Sequence, residues 1–263
     1  MEARIKAVGA PKFTFLYPTN QGVSAATAAA LVAGGVEPAA VAPDCHVGDG
    51  GGVGCARGDL DRIPGFNQSF INCEVNAGRS TLVRAMTEAA DMQEWFNYGG
   101  AQGEEPSRLL ARTASFCTER SGHYDAFDQG LSFFLPNGTW LQPPGYVHQM
   151  VRDALAPQAV GIASTPQYPA SAQLSDAGDA LTIQIVNNRP SAGVVTFRVA
   201  SFSPSGAANV TTLNGTDLNA GNTPAAPTAM APWSAPAAWA GGALTLTLPG
   251  FSFTTIVTPG TAA

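Results

Sequence analysis

A parallel α/β region followed by an antiparallel β-sandwich is the fold class that three observations predict. Leu82, Met86, Ala89, Ala90 and Trp95 recur at three- and four-residue spacing, the apolar stripe of a helix that packs on a sheet. Short apolar runs stand before and after that stripe, so strand and helix alternate as parallel α/β structure requires. Beyond residue 165 the helical period is gone, and Leu181, Ile183 and Ile185 alternate with Thr182 and Gln184, as Leu244, Leu246 and Leu248 do with Thr245 and Thr247. The expected division is 1–160 for the α/β domain and 161–263 for the sandwich.

In order along the chain, residues 13–17 read as a strand stopped by Pro18 and Asn20. Ser24 is placed to cap a helix that runs through Leu31 and Val32 and stops at Gly34 and Gly35. Residues 70–75 form a second short strand, and the striped helix follows it. Residues 131–135 read as another buried strand, and residues 146–155 as a short helix after Pro143 and Pro144. In the second part, residues 181–187, 194–200, 244–248 and 251–257 read as half-buried antiparallel strands. Residues 220–239, heavy in Ala, Pro and Asn, read as a long surface loop.

Composition narrows the function classes. Charged residues are only 12% of the chain, about half the usual share of roughly 25%. A net charge of −6 lacks the clustered Lys and Arg of a nucleic-acid surface, so no nucleic-acid partner is expected. No apolar run reaches the roughly 18–20 residues of a membrane span. The four sequons at Asn67, Asn137, Asn209 and Asn214, with four cysteines (Cys45, Cys55, Cys73 and Cys117), point to a secreted, oxidised glycoprotein. Four cysteines allow three pairings, and four reduced core cysteines are the alternative. Residues 1–4 show no apolar signal-peptide core, so an exported protein is expected to be truncated at its N-terminus here.

Glu74 is the leading candidate for chemistry. It ends an apolar strand, where a TIM barrel displays its catalytic groups. A carboxylate beside Cys73 and Val75 is costly there unless hydrogen-bonded or functional; the ordinary alternative is a structural or exposed glutamate. His46, after Asp44 and Cys45, is placed to line the same mouth, with a packed or a surface histidine as its alternative. The glycine run at 48–54 lacks the Gly-Lys-Ser/Thr ending of a phosphate loop and reads as flexible. No metal site, no cofactor site and no Gly-x-Ser-x-Gly hydrolase elbow is present in the sequence.

Residues 71–77, Ile-Asn-Cys-Glu-Val-Asn-Ala, and residues 82–90, Leu-Val-Arg-Ala-Met-Thr-Glu-Ala-Ala, resemble the nucleophile segment of family 51 α-L-arabinofuranosidases. That segment reads Gly-Glu-Tyr-Ala and is followed by a helix of the pattern Leu-x-x-Ala-x-x-Glu-Ala. Residues 107–116 are similar to the family's Val-Val-x-Met-Ala-Ser-Tyr strand, and residues 131–150, especially 140–150, to its Pro-Ser-Tyr-x-Val-Gln segment. Leu213, Asp217, Leu218, Asn222 and the Ser252-Phe253 pair follow its sandwich pattern. The resemblance runs in order over most of residues 40–258. Cys73 stands where the family has Gly, and Asn76 where it has small or aromatic groups.

The resemblance implies retaining hydrolysis of terminal α-L-arabinofuranosides, with a carbohydrate substrate containing arabinofuranose and no cofactor. Glu74 would be the nucleophile and His46 a residue of the sugar site. The two carboxyls of such an enzyme stand about 5–5.5 Å apart. A TIM barrel takes about 250 residues, roughly 31 for each βα unit, and the family's nucleophile ends strand seven. Only 73 residues precede Glu74. The expectation is therefore a partial TIM-type barrel, with the acid/base glutamate absent and the missing barrel half or a partner chain covering the exposed edges. A non-catalytic extracellular glycoprotein or carbohydrate-binding scaffold on the same fold is the rival expectation.

Overall fold

The computed structural model describes residues 15–18, 30, 33–34, 41–44, 80–101, 121–123 and 130–262. In chain order the elements are β1 (Phe15–Pro18), β2 (Val41–Asp44), α1 (Leu82–Ala101), β3 (Ser121–His123), β4 (Ser132–Leu135), β5 (Gly138–Leu141) and α2 (Pro143–Ala154). There follow β6 (Gln158–Val160), β7 (Ala170–Leu174), β8 (Ala180–Asn187), β9 (Gly193–Arg198), β10 (Phe202–Pro204) and β11 (Ala208–Asn214). The last three are β12 (Trp233–Ala237), β13 (Ala243–Leu248) and β14 (Ser252–Ala262).

Two parallel pairings mark the α/β part, β1 with β2 and β3 with β4. The rest is antiparallel. A seven-stranded sheet runs β12-β11-β14-β8-β7-β6, with β10 on the end of β14, and β13 pairs β9 in a second, smaller sheet. One face of the large sheet meets the small one. There Leu181, Ile183 and Ile185 of β8 pack with Phe197, Leu244, Leu248 and Ile256 in one apolar cluster. The other face is covered by α1 and α2, whose Leu82, Met86, Met92, Val147 and Met150 pack on Val186, Leu213 and Phe253. Secondary structure changes character between Ala154 and Gln158, yet this second core crosses that point.

The stripe at 82, 86, 89 and 95 is buried as its period requires. The second helix opens at Pro143 rather than at residue 146, because Pro143 and Pro144 occupy its first turn, where no intrahelical N–H is needed. Gly145 is fixed by close approach: a Cβ there would lie 2.3 Å from the Leu131 carbonyl oxygen. Three expectations need correction. Residues 131–135 are one arm of a hairpin with a two-residue turn, and Phe134 faces solvent while Phe133 is buried. Residues 220–239 contain the strand β12, and residues 220–222 dock on the helix starts with Asn222 buried, while residues 223–229 lie exposed on the surface as expected. The β8 strand is buried on both faces, since α1 covers the polar side that alternation assigned to water. Of the expected helix through Leu31 and Val32, the described Ala30 and Ala33 are helical, and Gly34 N donates to Ala30 O at 2.9 Å; the rest of it, the strand at 70–75 and all four cysteines lie outside the described residues.

Candidate functional site

Glu74, His46 and Asn67 lie outside the described residues, so the described site begins at its scaffold. Leu82, the first residue of α1, comes eight positions after Glu74. In a βα unit the helix start follows the loop that leaves the strand's C-terminal end.

The anchor comes from the sandwich. The first N–H groups of a helix have no partner within it. Here Leu82 N donates to Ala220 O at 3.0 Å and Val83 N to Leu218 O at 2.8 Å. The start of α2 is tied to the same loop. Gln142, just ahead of Pro143, donates from Nε2 to Asn222 O at 2.8 Å and accepts from Asn222 N at 2.8 Å. Asn222 in turn donates from Nδ2 to Leu141 O and accepts at Oδ1 from Met230 N, both at 2.8 Å. Gly221 fits between the two starts, since a Cβ on it would lie 3.1 Å from Gln142 Oε1 and 3.4 Å from Ser80 O. One loop, residues 217–230, therefore fastens both helix starts.

Below those starts lies a buried ionic cluster that the sequence reading did not single out. Arg84 Nε donates to Glu88 Oε1 at 2.6 Å, and both side chains are 1% exposed. His148 Nε2, from α2, stands 3.4 Å from the other carboxylate oxygen. Burial pushes the Glu88 carboxyl up, but His148 and Arg84 together outweigh burial and hold it below the usual carboxylate range. The available sequence signal was the four-residue spacing of Arg84 and Glu88 on the helix. Among the described residues no group of three or more His, Cys, Asp or Glu could hold a metal ion.

The remaining sequons differ in setting. Asn137 is exposed on the β4–β5 turn, and Asn209 is exposed on β11. Asn214 is half-buried, and its Oδ1 accepts a hydrogen bond from Trp233 Nε1 at 2.9 Å.

The chain matches no family model and no curated protein. Its fold is found among solved structures. An α-L-arabinofuranosidase from Thermotoga maritima, solved with arabinose, is 18% identical with a TM-score of 0.56, over 76% of this chain and 45% of that one. A family 51 arabinofuranosidase from Xanthomonas axonopodis pv. citri is 16% identical, TM-score 0.56, over 78% and 44%. A family 30 endoxylanase from Clostridium papyrosolvens is 17% identical, TM-score 0.50, over 76% and 44%. The chain thus shares the fold of part of these structures, part of a barrel followed by a β-sandwich, and spans less than half the length of each of them.

Proposed function

We propose that this chain belongs to a retaining glycoside hydrolase that removes terminal α-L-arabinofuranosyl residues from polysaccharides or glycoproteins. The observation that carries the reading is the fastening of both helix starts to loop 217–230, on a fold shared with arabinofuranosidases. Glu74 attacks the anomeric carbon, His46 lines the sugar site, and a second carboxyl protonates the leaving oxygen and later activates water. That second carboxyl has no motif position in this sequence, which favours a second reading, a glycan-binding scaffold without hydrolysis.

The two readings separate on an aryl α-L-arabinofuranoside. Residues 1–263 alone are expected to give no enzyme-like turnover, because general acid assistance contributes about 10²–10⁴-fold. A form extended upstream is expected to turn over, and Glu74→Gln in that form to return it to background. An extended form without turnover removes the hydrolase reading and leaves the scaffold. Export belongs to the same proposal, and Asn137 on its exposed turn is the described sequon best placed to carry a glycan. Glycosidase treatment that leaves the intact native mass unchanged would contradict export.

A further inference from the structure

The open strand edges of the sandwich are not alike. β12 carries Pro236, β6 and β10 are three residues long, and β9 ends at the exposed Arg198. Proline, shortness and charge are the ordinary devices that stop a strand edge from pairing with another chain. The β13 edge has none of them. Among the described residues β13 pairs only with β9, and the run from Leu244 to Leu248 holds no charge and no proline.

Backbone direction decides what that edge offers. Ala243 N donates to Ala240 O at 3.0 Å, and Ala240 N to Ala243 O at 2.8 Å, so Ala243 turns both backbone groups away from β9. Every second residue of an antiparallel strand turns the same way. Thr245 and Thr247 therefore point their N–H and C=O groups outward from the sheet edge, where they have no partner among the described residues. Both threonines are exposed, whereas Leu244 and Leu248 are buried and Leu246 is half-buried against the sandwich core. Ala240 covers the edge at Ala243, so the open run starts at Leu244.

That run, Leu244-Thr245-Leu246-Thr247-Leu248, is a palindrome. A second copy laid antiparallel about Leu246 sets leucine opposite leucine on the core face and threonine opposite threonine on the solvent face. The same register suits the backbone. Thr245 meets the second copy's Thr247 as a hydrogen-bonded pair, its reciprocal does the same, and the two Leu246 residues meet at the closer, non-hydrogen-bonded position. Every outward N–H and C=O of the two threonines then has a partner.

We propose that the β13 edge is the pairing surface for a second copy of this chain, joining two β9–β13 sheets across a two-fold axis. The pairing stands apart from the carbohydrate reading. A contact built on one strand pair lies at the small end of protein interfaces, so association should depend on concentration. Sedimentation of residues 1–263 over a concentration series is expected to show monomer passing to dimer. Thr245→Lys together with Thr247→Lys sets like charges opposite each other twice and should weaken the dimer roughly tenfold. Thr245→Lys together with Thr247→Glu sets opposite charges across the axis in the same register and should restore the parent's affinity. Both variants should melt as the parent does, because both positions face solvent. A parent that stays monomeric at every concentration would overturn the pairing. So would a like-charge variant that dimerises as the parent does, which places the contact on another surface, or a mixed-charge variant no better than the like-charge one.

Discussion

The two faces of β7 and β8 are both buried and are built in opposite ways. Toward β9 and β13 the strands present Ala170, Ala172, Leu181, Ile183 and Ile185, an apolar surface held by area and fit. Toward α1 they present Ser171, Gln173 and Gln184, each no more than 1% exposed. These side chains close a hydrogen-bonded cycle with the helix. Gln93 Nε2 donates to Gln184 Oε1 at 3.5 Å, Gln184 to Gln173 at 3.2 Å, Gln173 to Ser171 at 2.8 Å, and Ser171 back to Gln93 Oε1 at 2.6 Å. An apolar face accepts a helix at several offsets; a closed polar cycle is satisfied at one. The difference teaches that the sandwich does more than cover α1: it sets the position of the helix whose first residue comes eight positions after Glu74 in the sequence. Asn97 Nδ2 adds a further tie to Ala170 O at 2.7 Å.

The largest expected effect lies beside the polar face. Arg84→Met leaves the Glu88 carboxylate buried without its hydrogen-bonded cation, and the expected cost is about 3–5 kcal/mol in urea unfolding. On the apolar face, Ile183→Ala should cost about 2–5 kcal/mol through the cavity it opens. Gln184→Leu breaks the cycle on one side only and should cost about 1–3 kcal/mol, whereas replacing all four members with apolar residues of similar shape should be nearly neutral in stability. If Gln184→Leu costs nothing, the cycle does not set the helix position. Acid gives a smaller, graded effect. The Glu88 carboxyl is lower in the folded chain than its ordinary 4.5, so its contribution is present above that value and lost as pH falls below it. Glu88→Gln should flatten that part of the stability–pH curve. At the far end, Val194→Thr on the 70% exposed edge of β9 should change stability by less than about 0.5 kcal/mol.

Alternation and helical period identified which residues share a face, and that much of the fold was legible. Leu181, Ile183 and Ile185 point into one core, and Leu82, Met86 and Ala89 into another. Alternation cannot say what covers the second face. Thr182 and Gln184 read as solvent-facing because polar residues usually are, and Gln184 is buried with Gln93, 91 positions away, and Gln173 as its side-chain partners. The same limit hid the ionic cluster. Arg84 and Glu88 have the spacing of an ordinary surface pair, and His148 reaches them only because α2 packs on α1. Asn222 was named as a pattern residue, but its burial was hidden by its setting of Ala, Pro and Gly, a composition that marks loops whether they are free or docked. The reading of Glu74 and His46 as site residues concerns positions outside the described residues.

Native-state hydrogen exchange tests the coupling of sandwich to helix start most directly. The amides of Leu82 and Val83 have their partners in the sandwich loop, at Ala220 and Leu218. If that loop fastens the helix, these two amides open only when the sandwich does, and their exchange free energies should match those of the β8 amides at Ile183 and Ile185. Exchange of Leu82 and Val83 at a far lower opening energy, with β8 still protected, would show that the helix start moves independently and would contradict the account.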